Sequence, residues 1–91
     1  MTTVNEILSE REQQYGQYIM VSTIAQGIKK IMRESPNYKM MPVYMQESLD
    51  MIANKLARIL NGNYYHMDSW NDIAGYAGLV VMTEEDEENN A

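Results

Sequence analysis

Between Pro42 and Gly62 the apolar residues recur at intervals of three and four, the spacing of one face of a helix and not the alternation of a strand. Leu49, Ile52, Ala53, Leu56, Ile59 and Leu60 share one stripe, while Glu47, Asp50, Asn54 and Arg58 line the opposite face. The spacing therefore predicts an amphipathic helix from about Val43 to Leu60, one face in a core and the other strongly polar. Asn61-Gly62-Asn63 stops it, because these residues tolerate the left-handed geometry that ends helices.

The same reasoning extends to the rest of the chain. Thr3-Val4-Asn5-Glu6 reads as a capping box that opens a helix over about 4–14 and ends at Tyr15-Gly16. Val21, Ile24, Ile28, Ile31 and Met32 give helical spacing over about 20–34, where Ser35-Pro36 halts the chain. Asp68 is the expected cap of a fourth helix over about 69–82, with Trp70, Ile73, Ala77, Val80 and Val81 as its core stripe. No stretch supports a strand or a repeat. The expectation is an all-α domain over 1–82, a compact bundle of about four helices, followed by a disordered acidic tail over 83–91 that is too poor in apolar residues to order itself.

Ninety-one residues allow one domain and exclude a large enzyme with its own cofactor domain. A chain this short buries too little surface to be comfortable alone, so completion by oligomerisation is expected. There is no cysteine, hence no disulfide, thiolate metal site or cysteine nucleophile. With no basic-then-apolar leader and no long apolar run, the setting expected is cytoplasmic, without a membrane partner. The net charge of −6 is misleading, because five acids sit in Glu84–Glu88 and outside them seven basic residues face eight acidic ones. Such a near-neutral body lacks the basic surface that duplex nucleic acid needs, but leaves room for one small phosphorylated ligand.

Several groups carry chemistry. Glu47 with Asp50, and Asp68 with Asp72, stand at helical spacings that project carboxylates together and would suit Mg²⁺; solvated or capping acids explain them equally. Lys55 and Arg58 offer cations on the polar stripe, either to phosphates or to those same acids. Lys29, Lys30 and Arg33 make a basic helix end, with Lys29 and Lys30 diverging so that one of them points inward. Arg11 beside Tyr15-Gly16 places a guanidinium and a ring at a flexible step, an arrangement that stacks nucleobases. His66, the single histidine, has no partner at ligand spacing and reads as a loop residue.

Three blocks together carry a resemblance: Glu10-Arg11 with Tyr15-Gly16, then Glu47 to Gly62, then Asp68-Ser69-Trp70 through Asp72-Ile73-Ala74-Gly75-Tyr76-Ala77. Over about 4–82 the chain resembles a family of short tailed-phage proteins, and more loosely the MazG-like all-α nucleoside triphosphate pyrophosphohydrolases. The latter resemblance implies Glu47 and Asp50 as a first metal-binding pair and Asp72 with Asp68 as a second, Mg²⁺ being the cofactor. The chain departs from that pattern: the first pair ends in Asp, Gln46 stands where a further acid is usual, and the second pair is spaced by four.

Two functions follow as expectations. The first is a phage-type, homo-oligomeric protein that sequesters a nucleotide, such as a cyclic or ADP-ribose-type host immune signal, without cleaving it and without a required cofactor. Arg11, Tyr15, Lys55, Arg58 and Tyr76 would hold it. The second is a Mg²⁺-dependent pyrophosphohydrolase acting on (d)NTPs through Glu47, Asp50, Asp68 and Asp72. A helical adaptor that binds a host protein through its acidic tail is a third expectation.

Overall fold

A computed structural model describes residues 2–90. Four helices follow one another: α1 (Val4–Tyr15), α2 (Tyr18–Glu34), α3 (Val43–Asn61) and α4 (Met67–Asn89), with a single 3₁₀ turn at Tyr38–Met40. Among the described residues there is no strand, and no helix is long and apolar enough to cross a membrane.

The helix boundaries follow the expected chemistry. The Thr3 hydroxyl accepts the Glu6 amide at 3.1 Å and so opens α1. Gly16 closes it with a φ of 81°, a conformation that favours glycine. Ser35 is extended, as a residue before proline must be, and terminates α2.

Helix α4 departs from expectation at both ends. It begins at Met67 with His66 in the capping position, so Asp68 lies in the first turn and caps nothing, favoured there only by the helix dipole. At the other end helix continues through Glu84–Glu88 to Asn89, where composition predicted a disordered tail. Glutamate is a strong helix former, extending an existing helix carries no nucleation cost, and the Tyr44 hydroxyl donates a hydrogen bond to Glu84.

Helix α3 is the hub, with α2 on one flank, α4 on the other and α1 against one end. The seams are made by small residues. Ala25, Ala53 and Ala57 are buried, and so are Ser48 and Ser69, whereas among the described residues no large side chain is fully buried. Small residues let helix axes approach closely, which is why two serines sit where aliphatic residues were expected. On α4 the sheltered row is Ser69, Ile73, Tyr76, Val80 and Thr83, rotated from the predicted stripe. Trp70 and Val81 lie about half exposed, Ala77 is exposed, and on α3 Leu60 faces outward. The period was right and the centre of the apolar arc was not.

Candidate functional site: a cleft at the Tyr15 corner

The end of α1 and the α3–α4 turn meet backbone to backbone. Asn63 N–H donates to the Gln14 carbonyl at 2.6 Å, and the Asn61 side-chain amide donates to the Tyr15 carbonyl at 3.1 Å. Two glycines make this approach feasible. A Cβ on Gly16 would fall 2.5 Å from Asn61 Nδ2, and one on Gly62 would overlap the Gln14 carbonyl oxygen and the Tyr15 backbone.

That corner fixes the Tyr15 ring. The Arg58 guanidinium lies over its face, 4.7 Å from the centroid, and His66 meets it edge-on at 5.6 Å with 68° between the planes. His66 also reaches Asp68, Nε2 to Oδ2 at 3.5 Å. The loop histidine of the sequence therefore has a positioning role that no spacing rule revealed, because its partner ring lies about fifty residues away in the chain.

Two adjoining cavities open beside this stack. One of about 480 Å³ is walled by Leu8, Tyr15, Tyr18 and Val21, with the Arg11 and Arg58 guanidiniums and the Glu12 carboxylate on its rim. The other, about 320 Å³, shares Tyr18, Val21 and Arg58 with the first and adds Ser22, Gln26, Lys29 and Asn54. Together they form a cleft between α1, α2 and α3 that offers flat rings, three cations and amide or hydroxyl donors. Lys29 faces it, whereas Lys30 turns outward to Glu34 at 2.7 Å, which decides between the two lysines. Such a surface suits a planar ring that carries an anionic arm: the ring against Tyr15 and Tyr18, the anion on Arg58, Arg11 and Lys29.

The structure brings Arg11, Tyr15 and Arg58 together, but Lys55 and Tyr76 do not line this cleft. Lys55 Nζ binds Asp72 Oδ2 at 3.1 Å, with the lysine side chain only 11% exposed, and so ties α3 to α4. Tyr76 borders a shallow depression with Asp72 and Gly75 on the far flank.

Three of the four acids are likewise dispersed among separate partners, and Glu47 is exposed. Asp50 accepts the Tyr38 hydroxyl at 2.8 Å, an interaction that raises the tyrosine pKa. Asp72 holds Lys55, and Asp68 faces His66. Among the described residues no three His, Asp or Glu side chains gather as a metal-holding group. Sequence reasoning missed Glu12 and Tyr18 as cleft residues; their only signal was closeness to Tyr15-Gly16.

The sequence pattern of DUF6378, described as a domain of unknown function, matches residues 1–84. The chain belongs to the DUF6378 family. No curated protein and no solved structure matches it. The DUF6378 match takes in every residue of the Tyr15 cleft and ends at Glu84, the residue that Tyr44 holds.

Proposed function

We propose that this DUF6378 protein binds a small phosphorylated nucleotide in the Tyr15 cleft and sequesters it without cleaving it. The observation that carries this reading is the Arg58 guanidinium stacked on Tyr15 at the junction of two cavities, with Arg11 and Lys29 on their walls. A guanidinium held over a ring keeps the N–H donors of its own plane free, so its edge is available for a bidentate phosphate contact. Tyr18 supplies a second ring, and Asn54, Gln26 and Ser22 supply hydrogen bonds to a base edge or a ribose. Glu12 on the rim accepts from the same kinds of donor and disfavours an anion at that point, which gives the ligand a direction.

The resemblance to short tailed-phage proteins supports a wider setting. In it the protein is a homo-oligomer in the cytoplasm of an infected host, and its ligand is a cyclic or ADP-ribose-type immune signal, so that capture acts as anti-defence. Hydrolysis gains no comparable support, because Asp50 and Asp72 are engaged by Tyr38 and Lys55.

The test mixes the protein with nucleotides, cyclic dinucleotides and ADP-ribose derivatives, removes it by filtration, and assays the small molecules before and after heat denaturation. Depletion that heating reverses, with the compound returned intact, is the expected result. An untouched panel, or products in place of the compound, would overturn it. Arg58→Ala should weaken capture roughly 10- to 100-fold, the worth of one or two charge-assisted hydrogen bonds.

A further inference from the structure

On the side of the α2–α3–α4 layer away from the Arg58 cleft, the surface between α3 and α4 is almost free of polar atoms. It holds a groove of about 240 Å³ lined by Met41, Met45, Leu49, Ile52, Ala77 and Val80 with Ser48. The groove is the middle of a wider surface. At three- and four-residue spacing α4 continues it with Trp70, Ala74 and Val81, and α3 with Leu56 and Leu60. On α2 the cleft takes Tyr18, Ser22, Gln26 and Lys29, so Met20, Ile24, Gly27 and Ile31 occupy the other flank of its seam. None of these rows contains a charged residue, yet Ile31 is 70% exposed and Leu60 68% exposed in the single chain.

The chain as a whole exposes too much. Its accessible surface is 6816 Å², whereas a monomer of its mass settles near 5,400 Å², a surplus of about 1,400 Å². Its radius of gyration is 15.6 Å against roughly 12 Å for a compact domain of this length. The acidic end of α4 adds to the surplus, but charge keeps it in water; the uncharged rows are the part that can be hidden. An obligate homodimer hides on the order of 1,000 to 2,500 Å² per copy, which brackets the surplus.

We infer that two copies of this chain pair through the Ile31, Leu60, Trp70 and Val81 rows about a two-fold axis, and that the layer they share is the core the single chain lacks. A second copy is the occupant because the cover has to be constitutive: with no large side chain fully buried, the fold cannot wait for a transient partner. A lipid surface fits less well, since the chain carries a net charge of −6 and Arg11, Lys29 and Arg58 open into the cleft on the other side. The pairing leaves the Tyr15 cleft facing outward and does not depend on what that cleft binds.

The experiment is sedimentation equilibrium of the full chain from low micromolar to ~100 μM, with urea unfolding at each concentration. The expected mass is twice the chain mass of 10.5 kDa, with an unfolding midpoint that rises with protein concentration. Leu60→Glu and Val81→Glu put a charge on side chains that are already exposed in the single chain, and should weaken association at least ~100-fold. Gln13→Glu on exposed α1 should leave the mass unchanged. Should a charged variant fail to fold, the concentration dependence of the native midpoint still decides. A single-chain mass at ~100 μM with a constant midpoint would overturn the inference, and so would pairing that neither charged variant weakens.

Discussion

The Tyr15 corner and the Met45–Val80 groove treat surface in opposite ways. At the corner two glycines bring backbones into contact, and Arg58 and His66 both pack on the Tyr15 ring. In the groove the large apolar side chains are only partly sheltered, and on the rows around it Ile31, Leu60, Trp70 and Val81 stand about half exposed or more. The contrast teaches that a small domain can be rigid where it holds polar groups and unfinished where it is apolar. Close backbone contact is concentrated at the Tyr15 cleft, and the apolar surface is what the proposed pairing would cover.

The strongest way to break the contrast is at the glycines. Gly62→Ala drives a Cβ into the Tyr15 backbone, so the corner should open at a cost of about 3 kcal/mol, roughly a 12 to 20 °C fall in Tm by calorimetry. Ile52→Ala probes the other region. It should cost about 2 to 3 kcal/mol by urea unfolding at high protein concentration, where the groove is covered, and under ~1 kcal/mol if the groove is only surface. Arg58→Lys sharpens the comparison further, because it keeps the charge and removes the stacked fork. Ligand capture measured by calorimetric titration should fall roughly 5- to 10-fold, between the native chain and Arg58→Ala. Asp72→Asn leaves the sheltered Lys55 without its partner and should cost about 1 kcal/mol in urea while capture is unchanged; lost capture would place the far flank in the site after all.

The smallest effect concerns pH. Hydrogen bonding to Glu84 pushes the Tyr44 hydroxyl from 10.0 up to about 12. The folded chain thus keeps a proton that the unfolded chain releases near pH 10. The stabilisation is complete below pH 10 and is lost as pH rises through about 12. A phenolate absorbance titration should show Tyr44 among the late tyrosines, beside the raised Tyr38, together with a loss of helical signal that Tyr44→Phe removes from the window up to about 12.

Legibility in the sequence followed the range of the interaction. Helix count, the Thr3 cap and the Gly16 and Pro36 stops depend on neighbours within about four residues, and each appears where the pattern places it, whereas the α3 stripe is sheltered only in part, with Leu56 and Leu60 exposed. The α4 stripe was misplaced because its apolar arc is wide. Hydrophobicity alone could not tell the row against α3, centred on Ser69 and Ile73, from the row through Trp70 and Val81. Arg11, Tyr15 and Arg58 were legible as residue types suited to an anionic ring, and the structure brings them to one cleft. That Lys55 and Tyr76 lie elsewhere was not legible, because Lys55 belongs to the same polar side of α3 as Arg58 and only the position of α4 diverts it to Asp72. The Tyr15–His66 and Tyr44–Glu84 contacts span forty residues or more, a distance over which single-sequence patterns carry no signal.

The approach of Gly16 to Asn61 and of Gly62 to Tyr15 also sets an order of events. Helices α2, α3 and α4 are sequential neighbours whose turns close short loops, whereas seating Gly62 against Tyr15 closes nearly the whole length of α2 and α3 in one step. The entropy of that closure must be met before the corner returns any packing energy, so α1 joins a preformed hairpin of helices late. In pulse-labelled exchange the α1 amides should gain protection after those of α3. A nascent chain would then finish its apolar layer before it owned a binding cleft, and no half-made copy would hold ligand.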